Sequence, residues 1–433
     1  MPYMAPSAQA SAQQTEEAPL RTNDLVARLH RRIGLGLRST AVAAGAGAAD
    51  PAATIANLLD PTRDPDPWDG TDYTVDPGDD GGGRRRLARQ AITTWVDALV
   101  ATDHAVPEWL GWFWHGHFVS AITEVKNPQF MVDQINLFRT TGRGGFDDLT
   151  RAVSVDAAML LYLDGAGSNG ESPNENYSRE LLELFTLGHG TYTEADVSAA
   201  ASALSGWTLR RGSTEPQFVP RRHDDTPQQY LGSSGVSDVD GVVAAIADHA
   251  ALAPFIARKL AVEIVGPNVS DEVVDRCAAR FRAADHSIEA LLASLVDEVA
   301  AGQDGGAIVS SPLLWYVAAR RITGAAPAAE AAFAELRAAG QVPWLAPNVS
   351  GWPTGTAWGN AATLVARFNL ARMIAASTPD DSATLHATDG PALAEALAVP
   401  GGWSASTGQA LALLDDPLDR LTLALASPDF VNC

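Results

Sequence analysis

Residues 172–190, with the sequence SPNENYSRELLELFTLGHG, predict one well-defined helix of about four turns. Ser172 is a suitable N-cap, Pro173 fits the first helical position, and Glu175 completes a capping box. Gly188 supplies the left-handed residue with which many helices end. We therefore expect this helix to lie at the centre of the fold.

Polar side chains fall inside the apolar face of this helix. At roughly 100° per residue, Asn174 and Glu180 lie within an arc that is otherwise apolar. Arg179 can reach Glu175 and Glu183 at i−4 and i+4, so Glu180 needs a partner from another element. Burying an unpaired carboxylate is costly, and both a structural salt-bridge network and a catalytic site would explain it.

Length and composition favour an all-α protein, a large multi-helix single domain with long loops and at most short strands. The chain has 433 residues, of which 46% are hydrophobic and only 7% aromatic, and alanine is abundant. Such a composition suits closely packed helices better than a sheet. We predict a tail at residues 1–20, one helical domain over residues 21–433, and an acidic loop at residues 60–83 that is mobile and dispensable.

Charge and terminal sequence limit the possible partners. The formal net charge of −22 argues against nucleic acid and anionic lipid, which would repel the chain. We find no apolar window of about 18 residues and expect no membrane span. The first 20 residues are polar and acidic, which does not predict a signal peptide.

The stretch EWLGWFWHGHFVSAI at residues 108–122 surrounds His115 and His117 with tryptophan and phenylalanine. On a regular helix the two histidines diverge by about 200°, so a shared metal would need a bend at Gly116. Core histidines bonded to backbone carbonyls are the alternative. Trp112, one turn before His115, makes His115 the better candidate.

Two other segments contain chemically capable residues. The sequence RRHDD at residues 221–225 places His223 and Asp224 in a loop, where they could ligate a metal, run acid–base chemistry or simply form a turn. Trp207 and Trp352 each follow a Ser-Gly pair. Trp352 and its neighbours in PWLAPNVSGWPTGTAWGN (residues 343–360) could form a pocket wall, stack on sugar rings or pack between helices.

Several familiar motifs are missing. The sequence contains no G-x-S-x-G, H-E-x-x-H or G-x-x-x-x-G-K-[ST]. GAGSNG at residues 165–170 matches the dinucleotide fingerprint in letters, but no second parallel strand follows its helix. Serine hydrolases, zincins, P-loop proteins and Rossmann enzymes therefore lack support.

The motifs together resemble the large bacterial family known as domain of unknown function eighteen-hundred. The resemblance is carried by NENYSRELLELFTLGHGTYTEADV, ALSGWTL and RRHDDTPQQYLG, and by LHRRIGLGL, EWLGWFWHGHF, PFIARKL, SSPL and VSGWPTGTAW, over about residues 25–430. It implies a mainly helical fold, frequent export, and genes beside a sulfatase-like protein family as a candidate partner. It implies no known reaction.

Two functional hypotheses follow. In the first, Glu180 approaches His115 or His117 in a pocket that also receives His223 and Asp224, as in a metal-dependent hydrolase. Its candidate residues are catalytic Glu180, His223 and Asp224; metal-ligating His115, His117, Glu180 and Glu183; and binding Asn174, Asn176, Arg179, Trp112, Trp207 and Trp352. In the second hypothesis a binding or assembly protein uses the tryptophans, and the carboxylates form internal ion pairs.

Overall fold

The computed structural model describes residues 22–43, 50–75, 81–210, 213 and 215–433, and more than half of the chain is helical. The helices are α1 (Thr22–Arg32), α2 (Ser39–Ala43), α3 (Pro51–Leu58), α4 (Gly82–Ala101), α5 (Ala105–His117), α6 (Ile122–Val125), α7 (Pro128–Thr141), α8 (Phe146–Ser154), α9 (Ala157–Tyr162), α10 (Glu175–Glu180), α11 (Glu194–Ala203), α12 (Val239–Ala247), α13 (Leu252–Ile264), α14 (Asp271–Ala283), α15 (Ile288–Ala300), α16 (Pro312–Thr323), α17 (Ala329–Ala338), α18 (Ala361–Ser377), α19 (Ala383–His386), α20 (Gly390–Ala396), α21 (Ala405–Leu411), α22 (Pro417–Ala426) and α23 (Pro428–Val431). The prediction of an all-α fold is confirmed.

The described residues form four short strands, which follow α11. They are β1 (Trp207–Leu209), β2 (Pro216–Phe218), β3 (Gln228–Tyr230) and β4 (Ser233–Val236). β1 pairs with β2 and β3 with β4, both antiparallel, and Trp207 lies opposite Phe218. The strands therefore make two small hairpins on a helical body.

One cluster of buried apolar side chains extends from Leu29 to Val431. α13, α14 and α15 pack against one another, α18 packs along α22, and α16 contacts both α4 and α18. Alanines at the contacts let helices approach closely, as in α11, where Ala199, Ala200 and Ala203 are buried against α10 and β3.

Buried arginines join distant parts of the chain. Arg32 donates to the carbonyl oxygens of Ile264 and Val265 at the end of α13, and to that of Gly306. Arg321 donates to the carbonyls of Gly36, Leu99, Val100 and Thr102. Helix C-termini leave carbonyls without partners, so these guanidinium groups satisfy acceptors that would otherwise be buried alone.

No single helix in the described ranges has the length and apolar composition needed to cross a membrane, although α12 and α13, bent by 77°, pass that test together.

The acidic segment after α3 is attached to the core, in contrast to the prediction of a mobile loop. Trp68 is 3% exposed and Tyr73 is 1% exposed. The Trp68 indole N–H donates to the Ala91 carbonyl, and the Tyr73 N–H donates to Gln129 Oε1. The burial of these two aromatic side chains thus anchors a segment whose other residues are mostly polar. Residues 76–80 of this loop and the predicted tail lie outside the described residues.

We expect Trp68→Ala to lower the free energy of unfolding by about 3 kcal/mol, because it removes a buried ring and leaves a cavity beside Trp95. Urea unfolding followed by circular dichroism measures this loss. Asp69→Ala, on the same segment but exposed, is the control and should change stability by less than about 0.5 kcal/mol. Equal stability of both variants would show that the segment is dispensable.

Candidate functional site

The candidate site is a cleft of about 250 Å³ between α5, α13, the start of α16 and residues 350–358. We call it the tryptophan cleft. Its lining includes Arg32, Trp109, Trp112, Phe113, His117, Lys259, Glu263, Ser310, Ser311, Trp352 and Trp358.

The walls of the cleft are aromatic. The rings of Trp112 and Trp352 stack with centroids 5.1 Å apart and an interplanar angle of 27°, and those of Trp109 and Phe113 stack at 5.7 Å and 22°. Trp112 and Trp352 were both predicted as binding residues, and the structure brings them together. Such stacking fixes the orientation of each ring in the wall of the cleft.

Four buried polar atoms of this lining have no hydrogen-bond partner among the described residues. They are Arg32 Nε, His117 Nδ1, Trp352 Nε1 and Ser311 Oγ. His117 is 7% exposed and Trp352 is 8% exposed, so neither atom is fully hydrated. The His117 Nε2–H donates to the Phe185 carbonyl at 2.8 Å, which makes Nδ1 the acceptor nitrogen of the ring. Buried polar atoms normally have partners, so these four atoms are candidates for hydrogen bonds to water or to a ligand.

Two ionisable side chains, which the sequence hypotheses did not include, also line the cleft. Lys259 and Glu263 lie one turn apart on α13. Burial lowers the pKa of Lys259 and raises that of Glu263, while each charge partly counters the shift of the other. The signal available in the sequence was a charged pair at i, i+4 within the apolar helix LAPFIARKLAVEI.

His115 supports the cleft from behind. The Trp344 N–H donates to His115 Nε2 at 3.0 Å, and the Trp344 carbonyl accepts from the Ile122 N–H at 2.9 Å. These bonds hold Trp344 at a φ of 68°, which is unusual for a bulky residue. Burial lowers the pKa of His115 to about 3, so the ring is neutral and acts as an acceptor. The arrangement matches the alternative of a core histidine.

Gly351 permits the close approach that positions Trp352. Its φ is 84°, and a Cβ atom there would lie 2.6 Å from the Gly116 carbonyl oxygen. Gly206, in the other Ser-Gly-Trp sequence, has a φ of 94°, and its Cβ would meet that of His223 at 2.8 Å. Both glycines are therefore required for the same reason: positive φ together with a tight contact.

We expect Gly351→Ala to destabilise the protein by about 2 kcal/mol, since it adds both backbone strain and a clash with α5. Gly232→Ala is a matched control, because Gly232 has a φ of 86° but nothing within 4 Å of its Cβ position. The difference between the two melting curves isolates the contact with Gly116. Identical losses would contradict the close approach.

The predicted central helix is present but differs in detail. Asn174, not Ser172, is the N-cap: its side chain accepts from the Asn176 N–H at 2.8 Å, so the predicted capping box is wrong. Asn174 also donates to the Asp164 carbonyl. After Glu180 the chain continues as a π-helix over Leu181–Thr186, and Gly188 has the expected positive φ. π-Helical turns are rare and often adjoin functional sites.

The carboxylates of this helix lie in a cluster near the surface. Arg179 pairs with Glu194 at 2.8 Å and with Glu175 at 3.5 Å, whereas Glu183 accepts from the Tyr192 hydroxyl at 2.7 Å and approaches His189 at 3.3 Å. The predicted Arg179–Glu183 pair is thus replaced by these contacts.

Glu180 is half-buried, and burial and Glu183 raise its pKa. In the described part of the chain, the hydrogen bonds of His115, His117 and His223 lead to partners other than Glu180. The shared site therefore stays a prediction, with no contact in its support.

His223 and Asp224 connect their loop to Ser205, at the end of α11, by hydrogen bonds. His223 Nδ1–H donates to the Ser205 carbonyl at 2.9 Å, and the Asp224 N–H donates to Ser205 Oγ at 2.9 Å. Beside them, Arg222 donates to the carbonyls of Gly167 and Ser168. Trp207 packs against Phe218 on this hairpin, with ring centroids 5.4 Å apart, and does not line the cleft. These contacts correspond to the turn-cluster alternative.

No group of three or more His, Cys, Asp or Glu side chains that could hold a metal ion occurs within residues 22–43, 50–75, 81–210, 213 and 215–433. The four predicted metal ligands are divided between the aromatic core, which holds His115 and His117, and the carboxylate cluster, which holds Glu180 and Glu183.

Five sequence segments that carry the family resemblance meet at the tryptophan cleft. They contribute Arg32, Trp109, Lys259, Ser311 and Trp352, together with their neighbours. A family model described as protein of unknown function, DUF1800, matches residues 28–432. No curated protein and no solved structure matches the chain. The chain therefore belongs to the DUF1800 family of proteins of unknown function.

Proposed function

We propose that this protein binds a saccharide in the tryptophan cleft. The observation that carries the proposal is the combination of stacked indole rings with four unpartnered polar atoms in one lining. A sugar ring has apolar C–H faces and a polar edge, and this cleft offers the complement of both.

The polar groups of the cleft match hydroxyl groups in particular. Trp352 Nε1 can only donate, His117 Nδ1 accepts, and the Ser311 hydroxyl does both. Glu263 adds an acceptor and Lys259 a donor. A ligand that meets donors and acceptors in alternation must itself carry groups that donate and accept, as sugar hydroxyls do. A purely apolar aromatic ligand would leave these atoms unsatisfied.

The volume indicates a small ligand. At about 250 Å³ the cleft is at the lower end of the range for ligand pockets, so we expect it to hold one or two sugar rings. The chain charge of −22 opposes nucleic acid, which also contains sugar rings, because every phosphate would be repelled.

The proposal predicts that Trp352→Ala weakens glycan binding. Loss of one stacking face should cost about 2 kcal/mol, or about 30-fold in Kd. The purified full chain is screened on a glycan array, and the best ligand is then measured by isothermal titration calorimetry. Trp403→Ala is the control, because Trp403 is half-buried on another groove and its indole N–H donates to the Gly390 carbonyl.

A second variant separates binding from folding. Ser311→Ala removes a hydroxyl that has no partner, so stability should change little while affinity falls about 5-fold. The proposal fails if no glycan binds, or if a bound glycan is indifferent to both Trp352→Ala and Ser311→Ala.

A further inference from the structure

We infer that the saccharide carries one anionic group, held at the end of the tryptophan cleft formed by Lys259 and the start of α16. This inference rests on the proposed saccharide binding. Its starting point is the charge of the lining: Arg32 and Lys259 are cationic, Glu263 is anionic, and Cys433 contributes a negative charge that acts on Arg32. The lining is therefore close to neutral in a chain whose formal net charge is −22.

Lys259 is available to a ligand. Its ammonium lies 5.3 Å from the Phe255 ring centroid and has no hydrogen bond or ion pair within 4.0 Å in the described part of the chain. By contrast, the preceding residue, Arg258, pairs with Asp271 and donates to the Val269 carbonyl. The two neighbouring cations thus differ: Arg258 is held in an ion pair, whereas Lys259 lines the cleft without one.

Arg32 does not compete for the ligand charge. Its guanidinium donates to the carbonyls of Ile264, Val265 and Gly306 and lies 3.8 Å from Asp304. Its positive charge makes the electrostatic potential in the cleft more positive, but most of its N–H groups already donate to backbone carbonyls. Lys259 is therefore the cation that we expect to contact the anion directly.

The start of α16 adds its dipole and the Ser311 hydroxyl at the same place. Ser310, Ser311 and Leu314 line the cleft, and α16 has 12 residues, so the positive end of its dipole lies there. Pro312 has no N–H, and the Leu313 N–H already donates to Gln341 Oε1 at 2.9 Å. Ser311 occupies the N-cap position, but its hydroxyl makes no capping bond and has no partner. Serine at an N-cap normally bonds a backbone N–H of its own helix, so a free hydroxyl here is consistent with a ligand acceptor.

A second, independent observation supports a donor site. The Trp352 indole N–H is in the same lining, is more than nine-tenths buried with its ring, and has no acceptor. An indole N–H can only donate, so the group that would complete it is an acceptor, from a ligand or from water. An ammonium, a hydroxyl and an indole N–H together suit a carboxylate or a phosphate.

Glu263 defines the rest of the ligand. It lies one turn from Lys259 and repels negative charge, so a ligand with several anionic groups is disfavoured. Its carboxyl oxygens suit a hydroxyl donor on the same ring. The shared chemistry is thus a sugar ring with one anionic substituent, either a uronate or a sugar phosphate.

The test uses the full chain, with galacturonate and glucose 6-phosphate as anionic probes and the methyl ester of galacturonate and glucose as their neutral counterparts. We expect one of the two anionic probes to fit the cleft better than the other. Calorimetry should show that this probe binds about 10-fold more tightly than its neutral counterpart. Lys259→Met should remove that advantage, and raising NaCl from about 0.05 M to about 0.5 M should reduce it. Arg258→Met, the control, should leave the advantage in place.

The two proposals fail in different ways. If neutral and anionic probes bind equally, and Trp352→Ala weakens both, the anionic group is refuted while saccharide binding stands. If Lys259→Met and Arg258→Met have the same effect on the anionic probe, the assignment to Lys259 is refuted. Binding of galacturonate but not of glucose 6-phosphate identifies a carboxylate, and the reverse identifies a phosphate; either result supports the inference. If none of these probes and no array glycan binds, both proposals fail.

Discussion

Arg139→Met is expected to lower the free energy of unfolding by about 3–5 kcal/mol, because it leaves a buried carboxylate without its cation. Glu108 is 1% exposed and Arg139 is 6% exposed. Arg139 Nε donates to both carboxylate oxygens at 2.9 Å, and NH2 donates to Oε1 at 2.5 Å. The same guanidinium also donates to the carbonyls of Asp64 and Pro65, so the pair ties α5 and α7 to the acidic segment.

A double variant distinguishes loss of the pair from loss of packing. Glu108→Leu combined with Arg139→Met removes both charges and keeps most of the apolar volume, so it should recover all but about 1–2 kcal/mol. Chemical denaturation of the two single variants and the double variant gives the coupling energy. Additive losses would show that the ion pair does not account for the cost. Arg89→Met, which breaks an exposed pair with Glu330, should cost less than about 1 kcal/mol.

Helix content was predictable because the pattern that specifies it is local. Apolar period, alanine abundance and terminator glycines all agreed, and Gly188 has the positive φ that its position predicted. The exact start of a helix was harder to predict, because more than one nearby residue could serve as its N-cap. Ser172 forms an isolated bridge with Asn169 instead of capping, and Asn174 takes the N-cap position. The π-helix that follows has no sequence signature, since it is set by packing on α13 and by the Thr186 hydroxyl bond to the Leu181 carbonyl.

The acidic segment shows why composition alone is a poor guide to whether a segment packs on the core. Its aspartates predicted solvation, and they do bond locally: Asp66 accepts from the Trp68 N–H, and Asp72 accepts from the Thr74 N–H. These turns direct the aromatic residues of the segment inward. A count of polar residues does not record that Trp68 and Tyr73 find acceptors and donors in the core.

The candidate site was predictable only in its aromatic part. The tryptophan-rich segments indicated a pocket, and Trp112 and Trp352 lie in it. Lys259 and Glu263 form a charged i, i+4 pair on α13, but Ser311 and Trp352 come from segments far from that pair in the chain, so no local spacing could join the four residues. The histidines were overestimated as ligands because a backbone N–H or carbonyl can satisfy an imidazole as well as a metal can, as Trp344 does for His115 and Phe185 for His117.

The free energy of unfolding is expected to fall as the pH is lowered, because several histidines are buried in their uncharged form. Burial lowers the pKa of His115 and of His117 to about 3, and burial with Arg321 nearby lowers that of His30 to about 4. In the unfolded chain each would titrate near 6.5. Between about pH 6 and pH 4.5 the unfolded state therefore binds protons that the folded state does not, and stability falls with pH by about 1.4 kcal/mol per histidine per pH unit.

Asp156 acts in the opposite direction. Burial raises its pKa to about 7, so in the same range the folded state holds a proton that the unfolded state has lost, and acidification is stabilising by about 1.4 kcal/mol per pH unit. Taken alone, three histidines against this aspartate give a net loss of about 3 kcal/mol per pH unit. Burial also raises the pKa of Asp133, Glu180 and Glu263, and these carboxyl groups make the slope smaller. Urea unfolding at pH values between 7 and 4.5 measures this slope, and His30→Gln or His117→Gln should each reduce it by about 1.4 kcal/mol per pH unit. A pH slope that His30→Gln and His117→Gln both leave unchanged would contradict the uncharged burial of these histidines.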